Sequence, residues 1–303
     1  MARHFLALHD YTRDELDGLL FLAKDLKSKQ KQGIPHKLLD GKTVALIFEK
    51  ASTRTRVSFE VGVFQLGGHG LFMASGTSQM GRGEPIKDTA RCMARYCDGV
   101  MIRTYGQEIV EEFALYSDVP VINGLTDLFH PCQIMADLMT VIEHKNSFNG
   151  LTVAWVGDGN NMANTWIEAA AIFGFELRLA CPKGYQPDTK VMSWAHTKAP
   201  GRITLTTDPK EAVDGADVLN TDVWASMGKE AEQKQREQAF AGYCLDDSLL
   251  ALAKPDCIVM HCLPAHRGEE ISDSVIEGKH SVVWDEAENR LHIQKAILAT
   301  LIK

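Results

Sequence analysis

The chain has 303 residues, 45% of them hydrophobic and 24% charged, and a formal net charge of -8. That length accommodates two domains of about 100–200 residues each. The negative balance excludes a nucleic-acid-coating surface but not a small anion held in a local basic pocket.

Seven cysteines, an odd number with no Cys-x-x-Cys pair, fit reduced thiols in a cytoplasm better than a disulfide framework. The opening stretch MARHFLALHDYTRDE has no apolar signal core and is not an acid-free, Arg/Ser-rich transit sequence. No apolar run approaches the ~18–20 residues that span a bilayer. A cytoplasmic protein without membrane or nucleic-acid partners is expected.

In chain order, Leu16, Leu19, Leu20, Ala23 and Leu26 recur at helical spacing and predict an amphipathic helix over 12–30, capped by Thr12 and ended by Gly33-Ile34-Pro35. Strand and helix signals then alternate. Strands are expected over 43–48, 70–74, 99–103 and 120–122, and helices over 53–66, 86–96, 107–117 and 131–145. The polar, turn-rich Asn146–Gly150 reads as a linker. A second series follows, with strands over 151–156, 175–180, 203–206, 217–220, 257–260 and 281–284. Its helices are expected over 161–173, 188–198, 209–214, near 273–277 and over 286–302, with a polar stretch at 222–240. Such alternation implies βαβ units on mostly parallel sheets. The expected fold is therefore α/β, with two domains, each a mostly parallel sheet flanked by helices, and the active site in the cleft between them. The domains would be 1–146, with the final helix (286–303) packing back on it, and 147–285.

The most informative stretch is Phe48–Glu60, FEKASTRTRVSFE, where a buried strand hands over to a helix. A helix start carries unpaired backbone N–H groups and the positive end of the macrodipole. Ser52, Thr53, Arg54, Thr55 and Arg56 add three hydroxyls and two guanidinium groups there, an anion cradle suited to phosphate. A Ser-capped helix with surface arginines is the plainer alternative, but like charges packed so closely are unfavourable without an anion.

Other polar residues gather after predicted strands, where α/β ligand sites lie. Arg103 closes one, and His130, Pro131 and Gln133 follow the next. Gly157-Asp158-Gly159-Asn160-Asn161, Asp222 and His261-Cys262-Leu263-Pro264 follow three more. Gly157-x-Gly159 invites a dinucleotide reading, but the fingerprint requires Gly or Ala where Met162 stands, and Leu177–Cys181 supplies no acid. His261, Cys262 and His266 invite zinc, but no second ligand pair is visible and Pro264 interrupts them. Cys262 as a covalent nucleophile needs a base, for which His261 is the one candidate.

Ser52-Thr53-Arg54-Thr55-Arg56, His130-Pro131-Cys132-Gln133 and His261-Cys262-Leu263-Pro264 together resemble the aspartate/ornithine carbamoyltransferase family. Asp222-Val223-Trp224-Ala225-Ser226-Met227-Gly228 is similar to its ornithine branch. The likeness extends through Gly157–Met162 and Glu286–Arg290, in the same order over nearly the whole chain. It implies carbamoyl transfer from carbamoyl phosphate to the δ-amino group of L-ornithine, giving L-citrulline and phosphate, in arginine biosynthesis or the reverse in arginine catabolism. No cofactor and no metal are implied.

The resemblance also implies roles. Ser52, Thr53, Arg54 and Thr55 would hold the phosphate together with Arg103. Thr55, Arg103, His130 and Arg290 would surround the carbamoyl carbonyl, and Gln133 would contact its amide. Asn161, Asp222, Ser226 and Met227 would bind the amino-acid end of ornithine. Cys262 and Leu263 would lie by the reacting amine and touch carbamoyl phosphate. Gln79 would reach a neighbouring subunit's site, making the unit of activity a homotrimer or a multiple of trimers. The alternatives are a sister transferase using aspartate, putrescine or N-acetylornithine, and a non-catalytic anion-binding regulator.

Overall fold

Thr43-Val44-Ala45-Leu46-Ile47-Phe48 forms strand β1 (Thr43–Phe48) as its apolar run requires, five of its six residues being buried. The structure, a computed structural model, describes residues 2–77, 83–225 and 232–303. It divides into two units, Met1–Ala136 with Glu288–Lys303, and Asp137–Ala287.

In the first unit β1 is joined by β2 (His69–Ala74), β3 (Gly99–Arg103) and β4 (Val121–Leu125) in a parallel sheet of order β2-β1-β3-β4. Ala45, Ile47, Val100 and Ile102 pack with Ala90, Val110 and Phe113, so both central strands are sealed by apolar side chains. Helix Arg13–Lys31 begins at Thr12, whose hydroxyl accepts the Glu15 N–H while Glu15 accepts the Thr12 N–H, a reciprocal cap.

The C-terminal segment is tied to this unit by buried polar contacts. Lys27 donates to Asn289 Oδ1 at 2.7 Å. Lys295, fully buried, donates to Gln65 Oε1 at 2.9 Å and His36 Nε2 at 3.2 Å.

Burial lowers the Lys295 pKa from 10.5 to about 8. Between those values the unfolded chain holds a proton that the folded chain has released, so stability rises with pH across the window and is lost as pH falls through 8. Lys295→Met is expected to abolish that upward slope. The check is urea unfolding of both proteins between pH 8 and 10.5, and equal slopes would contradict it.

In the second unit β5 (Thr152–Val156), β6 (Glu176–Ala180), β7 (Ile203–Thr206), β8 (Val218–Thr221) and β9 (Ile258–His261) form a parallel sheet of order β7-β6-β5-β8-β9. Ala154, Val156, Leu219 and Val259 line one core with Phe240, Leu245 and Val275.

Two expectations are corrected here. The strand over 281–284 is a single bridge, Ser281 to Val259, because the chain turns into helix Val283–Leu301, with Asp285 and Glu286 favouring its start. The polar stretch 222–240 contains helix Gln233–Ala239, which buries only Arg236 and so shows no apolar periodicity.

Among the described residues, no helix is long and apolar enough to cross a membrane.

Candidate active site

In the first unit the turn after β1 delivers helix Thr53–Gln65, capped by Ser52, whose hydroxyl accepts the Thr55 N–H at 3.3 Å. Thr55 is fully buried, and its Oγ1 accepts from Arg103 Nη1 at 3.2 Å and Arg290 Nη2 at 2.8 Å. A hydroxyl has two lone pairs and one proton. With both lone pairs occupied by guanidinium donors, the Thr55 proton is directed to a third partner that must be an acceptor. Arg103 closes β3 and Arg290 comes from helix Val283–Leu301, so three elements meet on one oxygen.

His130, buried, precedes helix Pro131–Lys145. Burial first, then the Arg290 and Arg103 cations, hold its pKa well below the ordinary value, so the ring is neutral at physiological pH and can donate without carrying charge. Gln133 is fully buried in the first turn of that helix. Cys132 is pushed up to about 12 by burial and is inert as a thiolate source.

Ser52, Arg54 and Thr55 therefore share a helix start with Thr53, but Arg56 is directed elsewhere. It pairs with Glu60 at 3.0 Å and lies over the Phe72 ring at 3.6 Å. Arg54 is the other guanidinium of this run, and Arg103 and Arg290 bring two more to Thr55.

In the second unit Asp222 follows β8. Its Oδ1 accepts from Cys262 Sγ at 3.2 Å and from Val223 N at 2.8 Å, and its Oδ2 accepts from Asn160 Nδ2 at 2.9 Å. Burial, then the Asp222 and Glu286 carboxylates, raise the Cys262 pKa well above 9.0. Cys262 is thus a hydrogen-bonding thiol, and this removes the premise of the covalent-nucleophile alternative.

His261 is not a base for it either. The His261 Nδ1 accepts the Leu263 N–H at 2.9 Å and its Nε2 faces Glu270 Oε1 at 2.9 Å. Asp222, His261 and Cys262 place ligand-type atoms within 4.8 Å of one another. Both His261 nitrogens are already engaged within the protein, so that trio has no free imidazole nitrogen to offer a metal.

Asn160, beside the expected Asn161, touches Asp222. It also caps helix Asn161–Phe173 by accepting from Met162 N at 2.9 Å and Ala163 N at 3.3 Å. Its signal in the sequence was its residue type, a good cap directly before an apolar helical run. Arg236 had no such signal. It is buried and donates to Asp158 Oδ2 and to the Trp224 carbonyl, both at 2.7 Å. Gln79, Ser226 and Met227 lie outside the described residues.

Gly159 is explained by close approach of the chain itself. A Cβ there would lie 2.2 Å from Pro187 N and 2.3 Å from Gln186 C. Segment 186–187 fills the space beside Gly159, so packing of the chain accounts for this glycine without a dinucleotide. Gly159→Ala must displace backbone and is expected to cost about 1–3 kcal/mol, read as a lower urea midpoint. An unchanged midpoint would contradict this close approach.

Residues 3–143 match the family model for the aspartate/ornithine carbamoyltransferase carbamoyl-P binding domain, and residues 149–301 that for the Asp/Orn binding domain. The chain belongs to the aspartate/ornithine carbamoyltransferase family. It is 76% identical over 302 residues to the ornithine carbamoyltransferase of Pelobacter propionicus, covering 100% of this chain and 99% of that protein. It is 76% identical over 303 residues to that of Geobacter sulfurreducens, covering both chains fully at 100%. Among solved structures, the ornithine carbamoyltransferase from Pyrococcus furiosus superposes with a TM-score of 0.96 at 51% identity, covering 99% of this chain and 97% of that one. The anabolic enzyme of Campylobacter jejuni gives 0.92 at 43%, covering 99% and 98%.

Proposed function

We propose that this protein transfers the carbamoyl group of carbamoyl phosphate to the δ-amino group of L-ornithine, releasing L-citrulline and phosphate. The observation that carries this reading is the Thr55 hydroxyl with Arg103 and Arg290 on its two lone pairs, beside a neutral His130. That arrangement offers donors and positive charge to a phosphoryl dianion and to a carbonyl oxygen that becomes negative. Full-length relatives named ornithine carbamoyltransferase support the choice of amine.

The chemistry follows from these groups. Ser52, Thr53, Arg54 and Thr55 hold the phosphate at the helix start, joined by Arg103. Arg103, His130, Arg290 and the Thr55 proton donate to the carbonyl oxygen, a preorganised oxyanion site worth roughly 3–4 kcal/mol per donor. Gln133 takes the carbamoyl amide. The amine lone pair of ornithine attacks the carbonyl carbon, the C–O bond to phosphate breaks, and phosphate departs with the bonding pair.

An amine of this type has an ordinary pKa of about 10.4, so it must shed a proton to react. That proton goes to solvent before attack, and the further proton that the nitrogen carries once it has bonded to carbon passes to the leaving phosphate. Asn161, Asp222, Ser226 and Met227 grip the amino-acid head group, while Cys262 and Leu263 orient the amine. The Asp222 carboxylate disfavours aspartate, whose second carboxylate would be repelled there.

We further propose a cytoplasmic homotrimer or multiple of trimers, with Gln79 near a neighbour's site, acting in arginine metabolism. Seven free cysteines support the reducing compartment. Exposed Val57 and Phe64, two turns apart on helix Thr53–Gln65, and Leu71 on edge strand β2 support self-association of the first unit.

Formation of the N-carbamoyl product from carbamoyl phosphate, measured in parallel with L-ornithine, aspartate, putrescine and N-acetylornithine in the presence of EDTA, tests the proposal. Turnover with ornithine alone is expected. Turnover with another amine would overturn the head-group assignment, and none with any would overturn the enzyme reading.

A further inference from the structure

Leu263 has φ +58°, a left-handed backbone conformation that side chains with a Cβ rarely adopt and that persists only where surrounding contacts over-determine it. Leu263 packs against the apolar core of the second unit, and one buried side chain holds its backbone. His261, the last residue of β9, is fully buried, and its Nδ1 accepts the Leu263 N–H at 2.9 Å.

A nitrogen that accepts cannot carry the proton in a neutral ring, so the proton resides on Nε2 and is donated to Glu270 Oε1 at 2.9 Å. The same Glu270 oxygen accepts the His266 N–H at 2.6 Å, closing the loop from 261 to 266 on one fully buried carboxylate. The backbone N–H of His261 donates to Glu286 Oε2 at 2.9 Å, which anchors the ring's own main chain. Between the two ends of this clamp, Cys262 Sγ is held 3.2 Å from Asp222 Oδ1.

We propose that His261, oriented by Glu270, is a positioning residue that sets the Cys262–Leu263 backbone against Asp222 for the incoming amine. It acts through its tautomer: Nδ1 must stay an acceptor. This rests on the reading of Asp222, Cys262 and Leu263 as the ornithine side of the reaction. The ring itself has no contact with substrate in this scheme, since both nitrogens are spent on the protein.

The two ring nitrogens can be separated by substitution. Asparagine places a carbonyl oxygen near Nδ1 and keeps the acceptor for Leu263. Glutamine places an amide nitrogen near Nε2 and keeps the donor to Glu270 while losing the acceptor. His261→Gln is expected to lower kcat/KM for ornithine by ~10²-fold, and His261→Asn by no more than about tenfold, with the carbamoyl phosphate Kd of both within about twofold of the parent.

Equal losses in the two variants, or losses that fall on both substrates together, would overturn the proposal. A measurement on the unaltered protein guards against variants that fail to fold. In [15N]histidine-labelled protein, the His261 ring must give an unprotonated Nδ1 and a protonated Nε2. The opposite tautomer would overturn the proposal regardless of activity. If the parent forms no citrulline from ornithine, the functional reading fails, and the tautomer still decides whether His261 holds Leu263.

Discussion

Arg103→Ala is expected to lower kcat/KM for carbamoyl transfer by at least ~10³-fold. Arg103 closes β3 and donates to the buried Thr55 hydroxyl, so its guanidinium is fixed before any ligand arrives. In the proposed reaction its removal takes away a charge-assisted partner of the phosphate and a donor to the carbonyl oxygen at once. It also frees one lone pair of Thr55, and the hydroxyl is then no longer compelled to donate toward an incoming acceptor.

One of the two cations that depress the His130 pKa is lost as well. The His130 pKa moves up toward its ordinary value, although burial, the larger cause, still holds it down. Arg103→Lys keeps a charge without the planar fork and should recover only part of the loss. Steady-state kinetics with both substrates varied provide the check. Near-normal kcat/KM for the alanine variant would remove Arg103 from the reacting centre.

Asp222→Asn is expected to be nearly as damaging, but to one substrate only. We expect a fall of ~10²–10³ in kcat/KM for ornithine with the carbamoyl phosphate Kd little changed. The carboxylate accepts from the Cys262 thiol, Asn160 Nδ2 and Val223 N, three donors converging on one acidic group. An amide there turns one of its two acceptor ends into a donor, which must face Asn160 or Cys262 and break a contact.

A second readout has a fixed sign. Asp222 is, after burial, the largest cause that raises the Cys262 pKa, so the neutral variant should lower it and speed alkylation of Cys262 at alkaline pH. Equal losses for both substrates, with unchanged Cys262 reactivity, would mark Asp222 as a structural residue.

Much of the scaffold was legible from pattern alone. β1, β3 and β7 and the helices Ile86–Tyr96, Pro131–Lys145 and Asn161–Phe173 fall on the residues expected from apolar periodicity and local caps. Those signals are local, because which face of a short segment is apolar depends on neighbours within two or three turns. Helix Gln233–Ala239 carries no apolar signal because its one buried residue is an arginine, and 281–284 reads as a strand because Val282 and Val283 are β-branched in a segment that continues as helix.

The amino-acid sequence by itself determined the alternating α/β build, the residue types at the ends of the strands and the hydroxyl-rich helix start at Ser52. Tertiary structure decided which of those residues act together. Arg290 reaches Thr55 across 235 positions, Arg236 reaches Asp158 across 78 and Asn160 reaches Asp222 across 62. It laid Arg56 over the Phe72 ring, brought Asn160 to Asp222, and committed both nitrogens of His261 to the protein. The physical reason is that a hydrogen bond is selected by angle and distance between side chains, and no local periodicity encodes the meeting of elements so far apart in the chain.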